Sequence, residues 1–445
     1  MDAIRTRFGL IRRLWGSAVA EVGSAGTRNV AITLAGNLGR LTLGFVSSVI
    51  IARTLGPAGY GVIALVSVVL AIADTVGDFG LTYTAVRSVA RNSKREPAHA
   101  GQVAHGYLTL ALLANTGAAL LGVALAGPIA RVVLDRGDLA PYLRLAMIGL
   151  VTLAGSGFAA AMLQATYRFG RLAAAGVVSG ATYLACIAGL AGVGHLGVGS
   201  VIAVGVINPA VGFALGLALL PRGFVRLREA FSRAAVRAWP ELTAFGKWMW
   251  VSAMLSLLAS HLDLLMLNRW ASPGVLGVYA LAFNMSQKMD TVNQARFTVL
   301  VPTASALRTR REMAEYLGRT ARRSALLVAG LALAVPFLRP FIGAFYGAGF
   351  ADAFWPLIVL AAVVAFDAVT APLILLALPL DQPRVLAASD AVRVAVLAAA
   401  GWFLIPLLGP IGAALARLAS RVAGAAVVLP LVASRLRRLG KGGTP

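Results

Sequence analysis

Residues 52–65 read ARTLGPAGYGVIAL and residues 269–281 read RWASPGVLGVYAL. Aligned at a constant offset of 216, the two stretches share Arg53/Arg269, Pro57/Pro273, Gly61/Gly277, Val62/Val278, Ala64/Ala280 and Leu65/Leu281, and the offset is close to half of the 445 residues. Each copy closes one apolar run and opens another, with Pro and Gly where a helical pattern must stop and a tight connection must start. The stretch therefore reads as a helix hairpin used twice. A second echo lies further along each half. Leu196-Gly197-Val198-Gly199 with Ala203 beyond matches Leu408-Gly409-Pro410-Ile411-Gly412 with Ala416 beyond, allowing one inserted residue at a spacing near 212. Two matches at nearly one offset point to internal duplication.

Composition sets the solvent in which this duplication folds. With 59% hydrophobic and 13% charged residues and a mean hydropathy of +0.82, the chain lies outside the range of soluble domains. It reads as an all-α polytopic membrane protein, and duplicated membrane domains are the usual build of transporters. The formal charge of +23 would suggest nucleic acid in a soluble protein. Here the cations sit in short segments between apolar runs, so they report membrane topology and no nucleic-acid partner is expected. The single Cys186 lies in an apolar run and the four His are scattered, which gives no disulfide framework and no metal-ligand spacing. The chain carries no HExxH, Walker loop or GxSxG, so no enzyme, metal or cofactor is expected.

Residues 1–27 place Ile4, Phe8, Ile11 and Trp15 on one helical face among Arg5, Arg7, Arg12 and Arg13, the pattern of a retained interfacial helix on the inner leaflet. Beyond it lie twelve apolar runs of about twenty residues or more, each long enough to cross roughly 30 Å of hydrocarbon. They fall at 29–52, 60–83, 103–126, 142–163, 172–193, 198–220, 245–267, 276–300, 324–342, 353–378, 385–405 and 409–432. Alternate connections hold most of the cations, whereas those assigned to the opposite side hold only Arg53, Arg131, Arg136, Arg144, Arg269 and Arg339. The positive-inside rule then puts both termini in the cytoplasm. The expected organisation is a six-helix bundle over 28–220, a basic inter-bundle loop over 221–244, a second six-helix bundle over 245–434 and a basic tail over 435–445. Because an even number of helices separates the copies, the two bundles should be pseudo-symmetric about an axis along the membrane normal, around a central cavity.

Apart from Arg144, Lys247 and Arg339 at span ends, six cations fall inside the predicted spans: Arg40, Lys288, Arg296, Arg393, Arg417 and Arg421. Each costs on the order of 3 kcal/mol in hydrocarbon and should face a partner or a wet cavity. Asp390 and Arg393 are three apart and suit a local ion pair. Arg421 is placed to snorkel, and Arg53 and Arg269 end their helices where a cation is favoured. Arg40 has Asn37 one turn before it and no acid at helical spacing, so its partner must come from another helix or from substrate. Asn284, Gln287, Lys288 and Thr291 form one polar stripe, widened by Asp290, Asn293 and Gln294, which marks this helix as a cavity wall. The acids Asp74, Asp78, Asp263, Asp290 and Asp367 either balance charge or include a proton or Na⁺ site that couples transport; the pattern fits both.

At this point the chain resembles a known family. ARTLGPAGYGVIAL, Asp78-Phe79-Gly80-Leu81 followed by Arg87, Leu276 to Ala282, and Ile405 to Ala414 are similar, in this order, to the O-antigen-type polysaccharide biosynthesis flippases of the multidrug/oligosaccharidyl-lipid/polysaccharide exporter superfamily. The resemblance implies a V-shaped pair of bundles in a bacterial cytoplasmic (inner) membrane. Its implied cargo is an undecaprenyl-diphosphate-linked oligosaccharide, moved from the inner to the outer leaflet by alternating access, with polymerase or ligase machinery as partners. Arg40 and Lys288 are the expected diphosphate contacts, with Arg53, Arg269 and Arg296 as weaker candidates and Asn37, Asn284, Gln287 and Thr291 as polar lining. Other readings are a multidrug or cation antiporter of the same superfamily, a carrier of a lipid-linked peptidoglycan precursor, a polytopic glycosyltransferase or O-antigen polymerase, and a scaffold. The short outer segments, near 127–141 and 343–352, disfavour an enzyme.

Overall fold

The computed structural model describes residues 25–93, 95–221, 224, 229, 231–305, 307, 309–377 and 383–439. The interfacial helix expected over 1–27 and the end of the tail expected over 435–445 lie outside the described residues. Those described are helical throughout, with no strand among them. The helices are α1 (Ala25–Asp78), α2 (Leu81–Asn92), α3 (Pro97–Pro128), α4 (Ala140–Ala165), α5 (Phe169–Gly192), α6 (Val198–Leu219), a short α7 (Arg233–Arg237), α8 (Trp239–Trp270), α9 (Pro273–Ser305), α10 (Arg310–Tyr346), α11 (Phe354–Ile374) and α12 (Pro383–Leu439). Eight helical spans are long and apolar enough to cross a membrane by length and composition.

The duplicated motif falls at helix junctions. Its first copy bends α1 at Gly56, where φ is 64°; its second separates α8 from α9 at Ala271–Ser272. The weaker echo behaves in the same way. Gly197 precedes α6, and Gly409 bends α12 at φ 56°. Only glycine takes these left-handed conformations without strain. Two junctions that the sequence predicts as tight connections are therefore bends within one continuous run of helix.

In a bilayer the lipid is as apolar as leucine, so close packing at small residues has to hold helices together. The first arm of α1 meets α5 in this way. A β-carbon on Gly39 would lie 3.3 Å from Val177, one on Gly180 3.3 Å from Leu43, and one on Gly176 2.7 Å from the Cδ of Arg40. Large side chains such as Leu120, Leu121, Phe337, Trp402 and Phe403 point outward, where lipid can cover them.

The buried cores describe how the halves meet. At the end carrying the Gly56 bend, one core runs through both halves and joins Tyr60, Leu65 and Leu143 to Leu276, Tyr279, Ile342 and Phe350. At the opposite end there are two cores. One, around Tyr107, Phe158 and Met162, belongs to the first half; the other, around Met313, Tyr316, Leu376 and Val428, belongs to the second. The halves share one core at the bend end, whereas at the other end their cores are separate and the halves meet where the start of α8 packs on the first half.

The stretch 221–244, expected as a loop, contains α7 and the first turn of α8. The Ser232 hydroxyl caps α7 by accepting from the Ala235 amide at 3.2 Å. Ala235 and Leu242 are fully buried, and Leu242 joins the core of the first half. Trp250 donates from Nε1 to the Thr75 carbonyl at 2.9 Å and stacks on Phe79 at 5.5 Å between ring centroids. The start of α8 thus packs on the first half, whereas its far end, through Leu264 and Leu267, enters the shared core.

Candidate functional site

A cavity of about 320 Å³ lies between the halves. Its walls come from both arms of α1 (Gly44, Ser47, Ser48, Tyr60, Ser67), from α5 (Tyr183), from α8 (His261, Leu264) and from α9 (Phe283, Asn284, Lys288). The duplicated motif positions its ceiling. Tyr60, inside the first copy, hydrogen-bonds the Ser48 hydroxyl at 3.0 Å and accepts from Asn284 Nδ2 at 3.2 Å, so a polar contact joins the halves beside the bend.

Among the described residues Lys288 is the charged one in this lining, and no carboxylate accompanies it. Its ammonium has no hydrogen-bond or ion-pair partner among the described residues. Asn284 and Thr291 share its helical face at one-turn spacing, as expected, and Thr291 donates to the Gln287 carbonyl at 3.3 Å. Gln287 itself is exposed and lies outside the lining. Arg40 belongs to the same stripe of α1 as Gly44, Ser47, Ser48 and Ile51, at spacings of four, seven, eight and eleven. It is exposed, as is Asn37 one turn further from the ceiling. Its stem packs on Gly176 of α5, two turns from the cavity-lining Tyr183, and its guanidinium has no partner among the described residues. A methyl on Gly44 would have nothing within 4 Å, so the space between Arg40 and the cavity is open.

The other cations expected near substrate sit elsewhere. Arg296 bridges α9, α10 and α11, donating to the Ser324 hydroxyl at 2.8 Å and the Ala368 carbonyl at 3.5 Å. Arg53 donates to the carbonyls of Phe345, at 2.7 Å, and Ala344. Arg269 pairs with Asp135 at 2.9 Å. None of the three lines the cavity.

The acids in the helices divide by partner. Asp263 is wholly buried and saturated with donors: Arg417 Nε at 2.7 Å and Nη2 at 2.8 Å, the Leu264 amide at 2.9 Å, and the Tyr279 hydroxyl. Arg417 also donates to the Ser260 carbonyl at 2.5 Å and lies 4.7 Å from the centroid of Phe283. Asp367 faces Arg421 at 3.4 Å, which replaces the expected snorkelling of Arg421 with an internal pair. Arg393 meets Asp390 at 3.0 Å, the local pair that its spacing predicts. Asp290 accepts from Asn293 and Gln294, both at 3.0 Å, and Asp78 accepts from the amide of Thr82 at 3.3 Å and from its hydroxyl. Asp74 accepts no hydrogen bond among the described residues.

Sequence reading passed over Tyr60, Ser48, Tyr183 and His261. His261 carries a buried Nδ1 with no hydrogen-bond partner, and its ring lies 5.6 Å from that of Phe283. Only the stripe through Arg40 signals Ser48; the others have no marker along the chain.

A family profile described as polysaccharide biosynthesis protein matches residues 50–355, which takes in both copies of the motif and, apart from most of the first arm of α1, the cavity helices. The chain belongs to the polysaccharide biosynthesis protein family. The lipopolysaccharide biosynthesis protein WzxC of Escherichia coli (strain K12) is 26% identical to this chain over 250 residues, 55% of this chain and 47% of WzxC; the chain spans about half the length of that relative. As a polysaccharide biosynthesis protein it shares its fold with solved transporters. An inward-facing multidrug resistance MATE family transporter of the MOP superfamily superposes with a TM-score of 0.71 at 13% identity, over 90% of this chain and 96% of the other. The lipid II flippase MurJ in an inward closed conformation superposes with a TM-score of 0.69 at 12% identity, over 91% of this chain and 87% of MurJ. These likenesses establish the architecture of a multi-pass membrane protein, and the solved neighbours are transporters and flippases.

Proposed function

We propose that the protein is a flippase that carries an undecaprenyl-diphosphate-linked oligosaccharide from the inner to the outer leaflet by alternating access. The observation that carries this reading is the cavity between the halves, whose lining among the described residues holds Lys288 without any carboxylate. A diphosphate supplies the missing anion, and charge-assisted hydrogen bonds to it are the strong kind. Arg40, at the mouth of the same stripe, provides the planar fork that suits phosphate oxygens. Tyr60, Ser48, Asn284, Tyr183 and His261 offer hydroxyl, amide and imidazole groups for the first sugar, and the lipid tail stays in the bilayer between α1 and α9. The same lining disfavours a cationic drug, which needs an acid to receive it.

Twelve crossings follow when the bent helices α1 and α12 each count twice and α8 and α9, of 32 and 33 residues, join the apolar ones. The positive-inside rule then sets both termini in the cytoplasm and the bend end outside. The shared core at the bend end and the separate cores opposite correspond to a cavity closed to the outside and approached from within.

The decisive test is the leaflet distribution of lipid-linked sugars in membranes with and without the gene. Build-up of an undecaprenyl-diphosphate glycan on the cytoplasmic face supports flipping, and its sugars identify the cargo. An unchanged pool combined with raised sensitivity to cationic drugs would replace this reading with the exporter one.

A further inference from the structure

Each copy of the duplicated motif sends its arginine across to the opposite half. Arg53, from the first copy, seats its guanidinium on the carbonyls of Ala344 and Phe345 in the last turn of α10. Arg269, from the second copy, pairs with Asp135 in the turn after α3. Its neighbour Asn268 donates to the Leu134 carbonyl at 2.7 Å. The partners correspond as well as the arginines do, because α3 holds the third apolar run of the first half and α10 the third of the second. Between these two contacts the backbones of the copies touch at Gly61 and Gly277.

We propose that Arg53 and Arg269 are paired bolts of a latch that holds the bend ends of the two bundles together while the cavity is open at the other end. Their chemistry suits bonds that must break in every cycle. Arg53 sits at a helix C-terminus, where orphan carbonyls and the negative end of the dipole attract a cation. The Arg269–Asp135 pair is exposed on both sides, at 62% and 69%, so water screens it and the bond stays weak. Arg136, the other cation in this turn, is held by Asp138 at 2.8 Å and leaves Asp135 to Arg269. The latch rests on distances between the halves and holds whatever the cargo is. Naming its end the outer one follows the proposed topology.

The test uses the full-length protein in lipid nanodiscs with Cys186→Ser and spin labels at Val132 and Leu407, exposed residues of opposite halves near the bends (81% and 78% exposed). Pulsed electron paramagnetic resonance reads the separation without substrate. Arg53→Ala and Arg269→Ala should each raise the ratio of parted to joined molecules about two- to fivefold, and the double variant should exceed either. Asp135→Arg should part the halves as Arg269→Ala does, whereas Asp135→Arg combined with Arg269→Asp should return the distribution to that of the parent. An unchanged distribution in the double arginine variant overturns the latch. So does a charge swap that behaves like the single variants, because a general loss of packing is not repaired by exchanging two charges.

Discussion

Gly61 and Gly277, the same position in the two copies of the repeat, lie backbone to backbone: a methyl on Gly61 would fall 2.8 Å from the Gly277 amide nitrogen, and one on Gly277 2.9 Å from that of Gly61. The contact is reciprocal in its neighbours too, since the first methyl would also strike the carbonyl of Pro273 and the second that of Pro57. Equivalent residues meeting each other is the signature of a two-fold axis. Here the axis passes between two halves of one chain, and duplication has turned a local motif into the joint between them.

Because backbone lies on both sides of this joint, a β-carbon cannot be accommodated by a rotamer change. Gly61→Ala and Gly277→Ala should each keep the bend ends apart and slow lipid-linked glycan export about tenfold, the effect of an overpacking cost of ~1–3 kcal/mol. The double variant should shift the separation between spin labels at Val132 and Leu407 to the parted distribution. Wild-type export by the double variant would show that the contact does not have to close.

Lys288 and Arg40 give the next prediction. A buried charge-assisted hydrogen bond to an anion contributes about 1.5–3 kcal/mol, so Lys288→Ala should reduce export roughly ten- to a hundredfold with unchanged membrane content. Lys288→Arg should retain a substantial share, since the charge persists. Arg40→Ala should cost less, because the mouth is more open to water than the cavity. The measurement is the cytoplasmic-leaflet pool of lipid-linked sugar in cells carrying each variant; normal pools in both alanine variants would remove the diphosphate from this site.

The buried pair Asp263–Arg417 gives a prediction about stability. Removing one partner strands the other in an apolar lobe, so Asp263→Ala or Arg417→Ala should destabilise by about 3–5 kcal/mol. The double variant Asp263→Leu with Arg417→Met should recover much of this loss. Thermal unfolding of purified protein in detergent reads the difference, and a double variant no more stable than the singles would show that the hydrogen bonds from Tyr279 and Leu264 matter more than the charges.

These cases show where the sequence was legible. Signals repeated along the chain came through: the junction motif marks the Gly56 bend and the break after Trp270, and the spacing of three between Asp390 and Arg393 is an observed pair. Of the polar stripe on α9, Asn284 and Lys288 line the cavity while Gln287 and Thr291 lie outside its lining, because helical periodicity maps a face and not the length of it that a cavity covers. What escaped depends on tertiary neighbours. Arg417 lies 154 residues from Asp263, and nothing local distinguishes it from Arg40, which has no partner among the described residues. Arg53 and Arg269 reach across the joint to Phe345, Ala344 and Asp135, and a helix end near a cavity looks the same in one dimension as a helix end at a joint. The start of α8 sits in a stretch so basic that it reads as a loop, yet its small and apolar residues, Ala235, Ala238 and Leu242, fit the core of the first half.

Coupling to an ion gradient is the last property that the partners of the acids help to sort. Asp263 and Asp367 each face an arginine, and a guanidinium already in place leaves little for a second cation to gain. Asp290 is engaged by two amides and Asp78 by Thr82. Asp74 alone of the five has no hydrogen-bond donor among the described residues, and Asp78 lies one helical turn from it, so two acids share one face with no cation between them. A proton or Na⁺ binding there relieves like-charge repulsion, which makes occupancy responsive to the gradient. Asp74→Asn should therefore hold export in membrane vesicles at the rate seen without a gradient, whichever ion is supplied. Asp367→Asn should keep the gradient response even where it lowers the amount of folded protein. The opposite result, a gradient response lost in Asp367→Asn and kept in Asp74→Asn, would move the coupling site to the second half, beside Arg421.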